Sequence, residues 1–401
     1  MITSNFIKKN KLKPPFFLYD ALIIEKQFLK LKYHLPKNFR IFYSVKANSN
    51  THLLKIFRKL GAGAEVSSGG ELSSVLKAGF NPSKIIFTGP GKTDEELEYA
   101  IKNKIYLIIG ESDNEIRRAD LIASRLKRKQ DLLLRINPRL CINYFLSRVP
   151  MTGGAQKFGI DEEKIPLILK KLRDYKNINV LGLHLFAASN IFNEILIVKY
   201  NDYLFKLVKF IESKFHLQLP VIDIGGGLPV DYSTERRKFN LKRFTSRLKV
   251  LIDKYGFSNK NFLIESGRFL VGEGGEYIVK IIDIKTSRRE KFAIIDGGVN
   301  HISRITLDKK NHIINVVSSR RNRNLDKKES INVVGNLNTA TDFISKTRLP
   351  KIKIGDLLSI KKVGAYGFCS GMHLLCGHSL PNEYLLMKND KLKLIRKRLS
   401  Y

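Results

Sequence analysis

Short runs of apolar and β-branched residues alternate with longer stretches of helical periodicity up to about residue 275. Such alternation is typical of βα units, in which a helix follows each strand and packs against the sheet. Eight runs have this character: Ile41–Val45, Ala62–Val66, Ile85–Thr88, Ile105–Ile109, Leu132–Ile136, Val180–Leu185, Val221–Ile224 and Phe262–Glu265. Eight βα units predict an α/β fold, the TIM-type (β/α)8 barrel.

The rhythm changes from about Glu276, where strand-like runs follow one another without long helices between them. These runs are Tyr277–Ile284, Phe292–Ile295, His312–Val317, Ile331–Val334, Leu357–Val363 and Tyr384–Leu386. We therefore predict a barrel over residues 20–275 and a C-terminal β domain over residues 276–401. The run Pro15–Tyr19 precedes the first helix, and we expect residues 1–19 to join the β domain.

The length of 401 residues agrees with two domains, because single hydrophobic cores stop growing near ~250–300 residues. No apolar run approaches the ~18 residues that a membrane span needs, and the N-terminus has no signal-peptide pattern. With only Cys141, Cys369 and Cys376, neither a disulfide framework nor a metal site is predicted. A soluble, cytoplasmic protein is expected.

The charge is strongly positive, with 72 Lys and Arg against 37 Asp and Glu, a formal +35. Such a balance favours nucleic acid, an anionic membrane surface or an acidic protein partner. However, the lysines are spread along the chain among many Ile and Asn, as A/T-rich codon usage would also produce. Denser clusters occur at Arg320, Arg321 and Arg323 and over Lys391–Arg398, but they form no nucleic-acid motif. We predict no nucleic-acid or membrane partner.

Reactive and Gly-rich residues gather at the ends of the predicted strands, where TIM barrels place their chemistry. The segments are Tyr43–Asn48, Glu65–Glu71, Gly89–Lys92, His184–Ser189, Gly225–Gly227 and Glu265–Arg268. Taken one at a time, each has an ordinary structural explanation. Their gathering at strand ends indicates an active site.

Three of these features have a definite chemistry. Lys46 closes an apolar strand, where partial desolvation favours the neutral amine that attacks an aldehyde, although a solvated lysine is the common alternative. Gly225–Gly227 lets backbone N–H groups approach an anion, or simply makes a tight turn. Glu265 is predicted to be buried and needs a partner, for which a salt bridge with Arg268 or Arg135 is one candidate.

Together these residues resemble the fold-type III pyridoxal-phosphate (PLP) decarboxylases, the diaminopimelate and ornithine decarboxylase group, which share their barrel with alanine racemase. The resemblance runs from Pro15 to about Leu386. It rests on YSVKAN around Lys46, GAEVSSGGEL at 63–72, KFGI at 157–160, GLH at 182–184, DIGGGLPVDY at 223–232, ESGR at 265–268, DGG at 296–298 and GAYG at 364–367. The order of these motifs is more specific than any one of them.

Finer features are similar to one branch of that family: GPGKTDEEL at 89–97, the segment Phe186–Ser189, and the tail from Gly364 through Pro381. The branch includes the decarboxylase of carrier-protein-bound glutamate in butirosin biosynthesis and exosortase-associated decarboxylases. The resemblance implies a PLP-dependent carboxy-lyase acting on an amino acid or an amino-acid-derived intermediate. An acidic carrier protein is a candidate partner.

The resemblance also implies residue roles. Lys46 would bind PLP covalently, and Glu265 would hydrogen-bond the pyridine nitrogen, which makes the ring an electron sink. Arg268 would hold the phosphate or a substrate carboxylate. His184 would lie near the ring, unless it is an ordinary barrel histidine. The phosphate would contact Ser189, Gly225, Gly226, Gly227, the backbone beside Gly267, and the Tyr366 hydroxyl.

The sequence departs from the family pattern at the position that stacks on the cofactor and on the loop that reaches the partner subunit's site. Phe186 stands where a histidine stacks on the cofactor, and an aromatic ring can still stack there. Asn338 replaces a cysteine on a loop that reaches the partner subunit's site, while Asp342 on that loop is retained. We include Asn338 and Asp342 in the catalytic set and expect a homodimer. An amide cannot deliver a proton as a thiol can, so water, Lys46 or Cys369 would do so.

Three alternative functions stay open. The substrate could be free diaminopimelate in lysine biosynthesis. A racemase would need an unprotonated ring nitrogen, which Glu265 disfavours. A catalytically silent PLP-binding protein with an acidic partner would account for Asn338 and the positive charge.

Overall fold

The computed structural model describes residues 4–140, 151–172, 174–232, 238–302, 312–317 and 328–399. Cys141 and the cluster Arg320, Arg321 and Arg323 lie outside these residues. The chain divides into two compact units. Residues 27–229 and 238–267 form the first, which we call the barrel unit, and residues 1–26, 230–237 and 268–401 form the second, which we call the β unit.

Strands and helices alternate in the barrel unit and strands dominate the β unit. The strands are β1 (Phe16–Asp20), β2 (Phe39–Ser44), β3 (Gly63–Val66), β4 (Ile85–Phe87), β5 (Leu107–Gly110), β6 (Gln130–Asn137), β7 (Ile160–Asp161), β8 (Ile178–His184), β9 (Val221–Asp223), β10 (Asn261–Ser266), β11 (Gly275–Ser287), β12 (Glu290–Ile295), β13 (Ile314–Val317), β14 (Lys328–Val334), β15 (Phe343–Pro350), β16 (Leu357–Lys361), β17 (Asn382–Leu386) and β18 (Leu392–Arg396). The α-helices are α1 (Ser4–Lys9), α2 (Ala21–His34), α3 (Thr51–Lys59), α4 (Gly69–Lys77), α5 (Asp94–Lys102), α6 (Asp113–Arg125), α7 (Ile165–Lys171), α8 (Glu194–Phe215), α9 (Leu241–Tyr255) and α10 (Arg268–Val271).

Eight parallel strands close into a barrel in the order β2-β3-β4-β5-β6-β8-β9-β10, with β10 pairing back onto β2. Each of the eight predicted runs overlaps one of them, so the predicted barrel is confirmed. The short strand β7 adds to β6 outside the closed ring. Local signals hold as well: α3 starts after the cap residue Asn50, whose side chain accepts the His52 N–H, and ends before Gly61 at φ +87°.

The barrel interior changes from apolar to polar along the strands. An apolar cluster fills its lower part: Phe42, Ile86, Leu107, Ile109, Leu133, Val221 and Leu263. Two residues after five members of this cluster, on a strand or immediately past its end, the side chain is polar: Thr88 follows Ile86, Glu111 follows Ile109, Arg135 follows Leu133, Asp223 follows Val221 and Glu265 follows Leu263. Because side chains repeat every two residues on one face of a strand, these polar groups lie above the apolar layer. We call this C-terminal end of the strands the barrel mouth.

The β unit contains a nine-stranded sheet in the order β15-β14-β12-β11-β1-β17-β18, with β16 pairing with β11 and β13 with β16. Strand β1 lies between β11, to which it is antiparallel, and β17, to which it is parallel. The sequence patterns missed β15 and β18, whose Lys and Arg residues weaken the apolar signal. No helix within the described residues is long and apolar enough to span a membrane.

Candidate active site

Lys46 lies at the barrel mouth, in the short 3-10 turn Val45–Ala47 that follows β2. Its Nζ donates a hydrogen bond to Glu65 Oε1 at 2.8 Å. The Lys46 side chain is 39% exposed, whereas that of Glu65 is completely buried. The amine therefore faces the open end of the barrel and is held from below by a buried carboxylate.

Glu65 is a site residue that the sequence analysis did not single out. Burial by itself raises the pKa of this carboxyl, but the Lys46 charge and hydrogen bonds from Lys46, Ser44 and Thr88 outweigh burial and hold the pKa below its usual value. Thr88 Oγ1 donates to the same oxygen that pairs with Lys46. A signal was available, because a glutamate within the buried four-residue strand β3 must have a partner.

His184, Asp223 and Glu265 come together from the neighbouring strands β8, β9 and β10. A ring nitrogen of His184 and one carboxylate oxygen each from Asp223 and Glu265 all lie within 4.8 Å of one another. His184 Nε2 is 3.5 Å from Glu265 Oε2, and both side chains are almost completely buried. Within the described residues, Asp223 Oδ2, Glu265 Oε1 and both ring nitrogens of His184 accept or donate no hydrogen bond.

The charges in this cluster act on one another. Burial lowers the pKa of His184, but the negative charges of Glu265 and Asp223 outweigh burial and raise it. Burial, followed by the charge of Glu265, raises the pKa of Asp223 to about 7. Arg135, considered from the sequence as a partner for Glu265, pairs instead with Glu111 at 2.7 Å. The structure therefore gives Glu265 a histidine neighbour, which the sequence did not indicate.

The segment Gly225–Gly227, which we call the glycine segment, follows β9 at the barrel mouth and packs tightly against neighbouring backbone. A Cβ on Gly226 would lie 2.0 Å from the carbonyl oxygen of Glu265, and one on Gly227 would lie 2.4 Å from that of Ala188. Gly225 has φ +62°, and its N–H donates to Asp223 Oδ1 at 2.9 Å. Close packing is therefore sufficient to require glycine here, and anion binding by this segment stays a prediction.

Phe186 and Gly267 border the same region. The Phe186 ring lies against the glycine segment, with carbon atoms 3.1 Å from the Cβ position of Gly225 and 3.3 Å from that of Gly226. Gly267 packs against the Lys46 turn, since a Cβ there would lie 2.7 Å from that of Ala47. The ends of β10 and β2 are thus adjacent.

In the β unit, Arg268 and Tyr366 lie together. The Arg268 guanidinium carbon is 4.8 Å from the centre of the Tyr366 ring, and Nη1 donates to the Tyr232 hydroxyl at 2.9 Å. Tyr366 has the left-handed φ of +57°. The structure thus pairs Tyr366, predicted to bind the phosphate, with Arg268, predicted to hold the phosphate or a substrate carboxylate. Both roles stay predictions.

Asp342 is buried in the β unit, and two backbone N–H groups hold its carboxylate, one of them from its own loop. Oδ1 accepts the Val299 N–H and Oδ2 accepts the Leu337 N–H, each at 2.8 Å. Burial raises the pKa of this carboxyl despite those two hydrogen bonds. Asn338, on the same loop, is exposed. Asp342 therefore stabilises the loop conformation, a role that the sequence analysis did not foresee.

Comparison with known proteins gives consistent matches. A family model described as the pyridoxal-binding domain of pyridoxal-dependent decarboxylases matches residues 22–272. The chain is 30% identical to L-glutamyl-[BtrI acyl-carrier protein] decarboxylase of Niallia circulans, over 97% of this chain and 92% of that protein. It is also 30% identical to the 2-[(L-alanin-3-ylcarbamoyl)methyl]-2-hydroxybutanedioate decarboxylase of Staphylococcus aureus, over 94% of each.

A solved structure has the same fold. Diaminopimelate decarboxylase from Helicobacter pylori, crystallised with L-lysine, superposes with a TM-score of 0.90 at 28% identity, covering 99% of this chain and 97% of that one. The names of these three similar proteins give three different substrates.

Proposed function

Because this chain belongs to the pyridoxal-dependent decarboxylase family, we propose that it removes CO2 from an amino-acid unit carried by a larger biosynthetic intermediate. The chain is a PLP-dependent carboxy-lyase by family. The observation that carries the assignment of the site is the placement of Lys46, just after β2, and Glu265, on the adjacent strand β10, at the same end of the barrel.

The residues present fit PLP. Glu265 Oε1 is buried and accepts no hydrogen bond within the described residues, as expected for a carboxylate reserved for a protonated ring nitrogen. Lys46 follows the adjacent strand β2 at the same end of the barrel, and its side chain is 39% exposed. When bound, PLP supplies an aldehyde that reacts with amines and a ring that withdraws electrons as CO2 leaves.

The remaining residues would bind and orient the cofactor. We assign the ring face to Phe186, which already lies against the glycine segment. We assign the phosphate to the mouth residues Ser189, Gly225, Gly226, Gly227 and Gly267. His184 would act on the ring nitrogen through Glu265, its neighbour at 3.5 Å.

A direct experiment tests the assignment of Lys46. Borohydride reduction of the PLP-loaded protein, followed by peptide mass spectrometry, should find the reduced cofactor on Lys46. Lys46→Ala should fold normally and release no CO2 from any substrate. Finding the cofactor on a different lysine would refute the assignment.

For the substrate, we propose an amino acid attached to an acidic carrier protein. The support is the similarity to a decarboxylase named for such a substrate and the formal charge of +35, which attracts acidic partners over long range. Free diaminopimelate, ornithine, arginine and glutamate should then react poorly, while CO2 release from glutamyl carrier protein should fall steeply as salt rises. Rapid, salt-insensitive turnover of free diaminopimelate would instead assign the lysine pathway.

We also propose a homodimer with composite sites, to which the loop carrying Asn338 and Asp342 is contributed by the partner. Light scattering should report a dimer under assay conditions. Mixed Lys46→Ala and Asp342→Ala chains should regain activity, because one site in the mixed dimer keeps both residues. An active monomer would contradict this proposal.

A further inference from the structure

Asp223 links two parts of the candidate site. Its Oδ1 accepts the N–H of Gly225, and the carbonyl of Gly225 accepts the N–H of Glu265 at 2.8 Å. Across the strand pair β8–β9, Asp223 is the register partner of His184. One completely buried carboxylate thus fixes the first residue of the glycine segment and lies beside the His184–Glu265 pair.

Two buried carboxylates and a neutral histidine would leave this cluster with an uncompensated negative charge. Asp223 and Glu265 are both buried within 4.8 Å of His184, and two desolvated carboxylates at this spacing repel each other unless a positive charge or a shared proton lies between them. The other charged groups that act on the cluster are already engaged, since Arg135 pairs with Glu111 and Glu65 pairs with Lys46. His184 is the group placed to carry the compensating proton.

We propose that Asp223 is a positioning residue: with His184 it holds a proton beside Glu265, and so supports the binding of the PLP ring nitrogen by Glu265. This inference rests on the proposed function, in which Glu265 binds that nitrogen. Because the same carboxylate fixes Gly225, Asp223 couples the ring-nitrogen end of the cofactor site to its glycine segment.

The electrostatic directions agree with this arrangement. The negative charges of Glu265 and Asp223 raise the pKa of His184 against the effect of burial, while burial raises that of Asp223. Removing the charge of Asp223 should therefore lower the pKa of His184. His184 would then hold its proton less firmly beside Glu265, and the site should bind a protonated ring nitrogen less well.

Asp223→Asn separates charge from structure, because the amide oxygen can still accept the Gly225 N–H. We would follow the His184 imidazole by NMR of the full-length, histidine-labelled protein, with the signal assigned by its loss in His184→Gln. In Asp223→Asn the midpoint should fall by about one pH unit, and the Kd for PLP should rise about tenfold, the equivalent of one unit of coupling. An unchanged midpoint with a Kd within twofold of wild type would overturn the inference.

If Asp223→Asn does not fold, His184→Gln provides a second test of the same proton. His184→Gln by itself should weaken PLP binding by a similar factor. Where Asp223→Asn does fold, adding it to His184→Gln should change the Kd less than twofold, because both act through one proton. An unchanged Kd in His184→Gln would overturn the inference. The control is Glu383→Gln, which removes an equally buried carboxylate from the β unit and should leave the PLP Kd unchanged.

The inference and the proposed function fail in different ways. Absence of PLP binding, or attachment to a lysine other than Lys46, refutes the function. If PLP attaches normally to Lys46 and its Kd is unchanged in Asp223→Asn and in His184→Gln, only the role of Asp223 is refuted.

Discussion

The Lys46 ammonium and the Glu65 carboxylate form a 2.8 Å ion pair in which one partner is completely buried and the other is 39% exposed. The buried carboxylate also accepts a hydrogen bond from Thr88. The pair therefore fixes the direction of the Lys46 side chain, while its amine stays accessible from the barrel mouth. An accessible amine and a rigid support are both needed for a lysine that binds an aldehyde.

We expect Glu65→Gln to lower the free energy of unfolding by about 1 kcal/mol at pH 7, a modest loss because water can reach the unpaired Lys46. The folded-state pKa of Glu65 lies below its usual value. Its contribution is therefore present above about pH 4.5 and is lost as the pH falls through the folded-state pKa. Urea unfolding should show wild type and variant converging in acid. A difference that is constant with pH would contradict the ion-pair explanation.

A pair of glycine variants tests the packing of the glycine segment. Gly226→Ala should destabilise the fold by about 3 kcal/mol, because its Cβ would lie 2.0 Å from the Glu265 carbonyl oxygen and backbone cannot easily move away. Gly70→Ala is the matched control: it lies in α4, and its nearest neighbour would be the Ser68 Oγ at 3.8 Å. There alanine should stabilise by about 0.5–1 kcal/mol. Equal effects in urea unfolding would refute the steric argument.

His301 should make the β unit sensitive to acid. Its Nδ1 is 2.5 Å from the Tyr277 hydroxyl, and burial lowers the pKa of His301 to about 4. Since the unfolded histidine binds a proton near pH 6.5, stability should fall as the pH drops from about 6.5 through 4, by about 3 kcal/mol in total. His301→Gln removes that dependence, so its deficit in urea unfolding should shrink between pH 7 and pH 4. A deficit that does not shrink would contradict this prediction.

The exposed Asn338 tests how the proton is supplied after CO2 loss. If a thiol at this position delivers a proton better than the groups available in wild type, Asn338→Cys should raise the decarboxylation rate by about tenfold or alter product stereochemistry. Asn336→Cys places a thiol on the same loop and serves as the control. A catalytically silent PLP-binding protein would gain no CO2 release from Asn338→Cys.

The barrel could be predicted from the sequence because its signals are local. Runs such as Val221–Ile224 are apolar over the length of one strand, and the helix over residues 51–60 carries both its buried face and its terminal Gly61. Reactive residues at strand ends can be recognised without knowing which residues lie across the barrel. Lys46 and Glu265 were identifiable for that reason. Strand β15 was not, because Lys346 and Arg348 interrupt its apolar residues and its stability depends on pairing with β14.

The partners of the buried charges were decided by the tertiary structure. Closure of the barrel places β10 beside β2, and the register of β8 with β9 places His184 beside Asp223. The sequence alone suggested Arg268 or Arg135 for Glu265, but Arg135 pairs with Glu111 and Arg268 donates to the Tyr232 hydroxyl. Local periodicity determines which side of a strand a residue occupies. It cannot determine which distant residue lies opposite, because that depends on barrel closure and on the register between strands that are far apart in the chain.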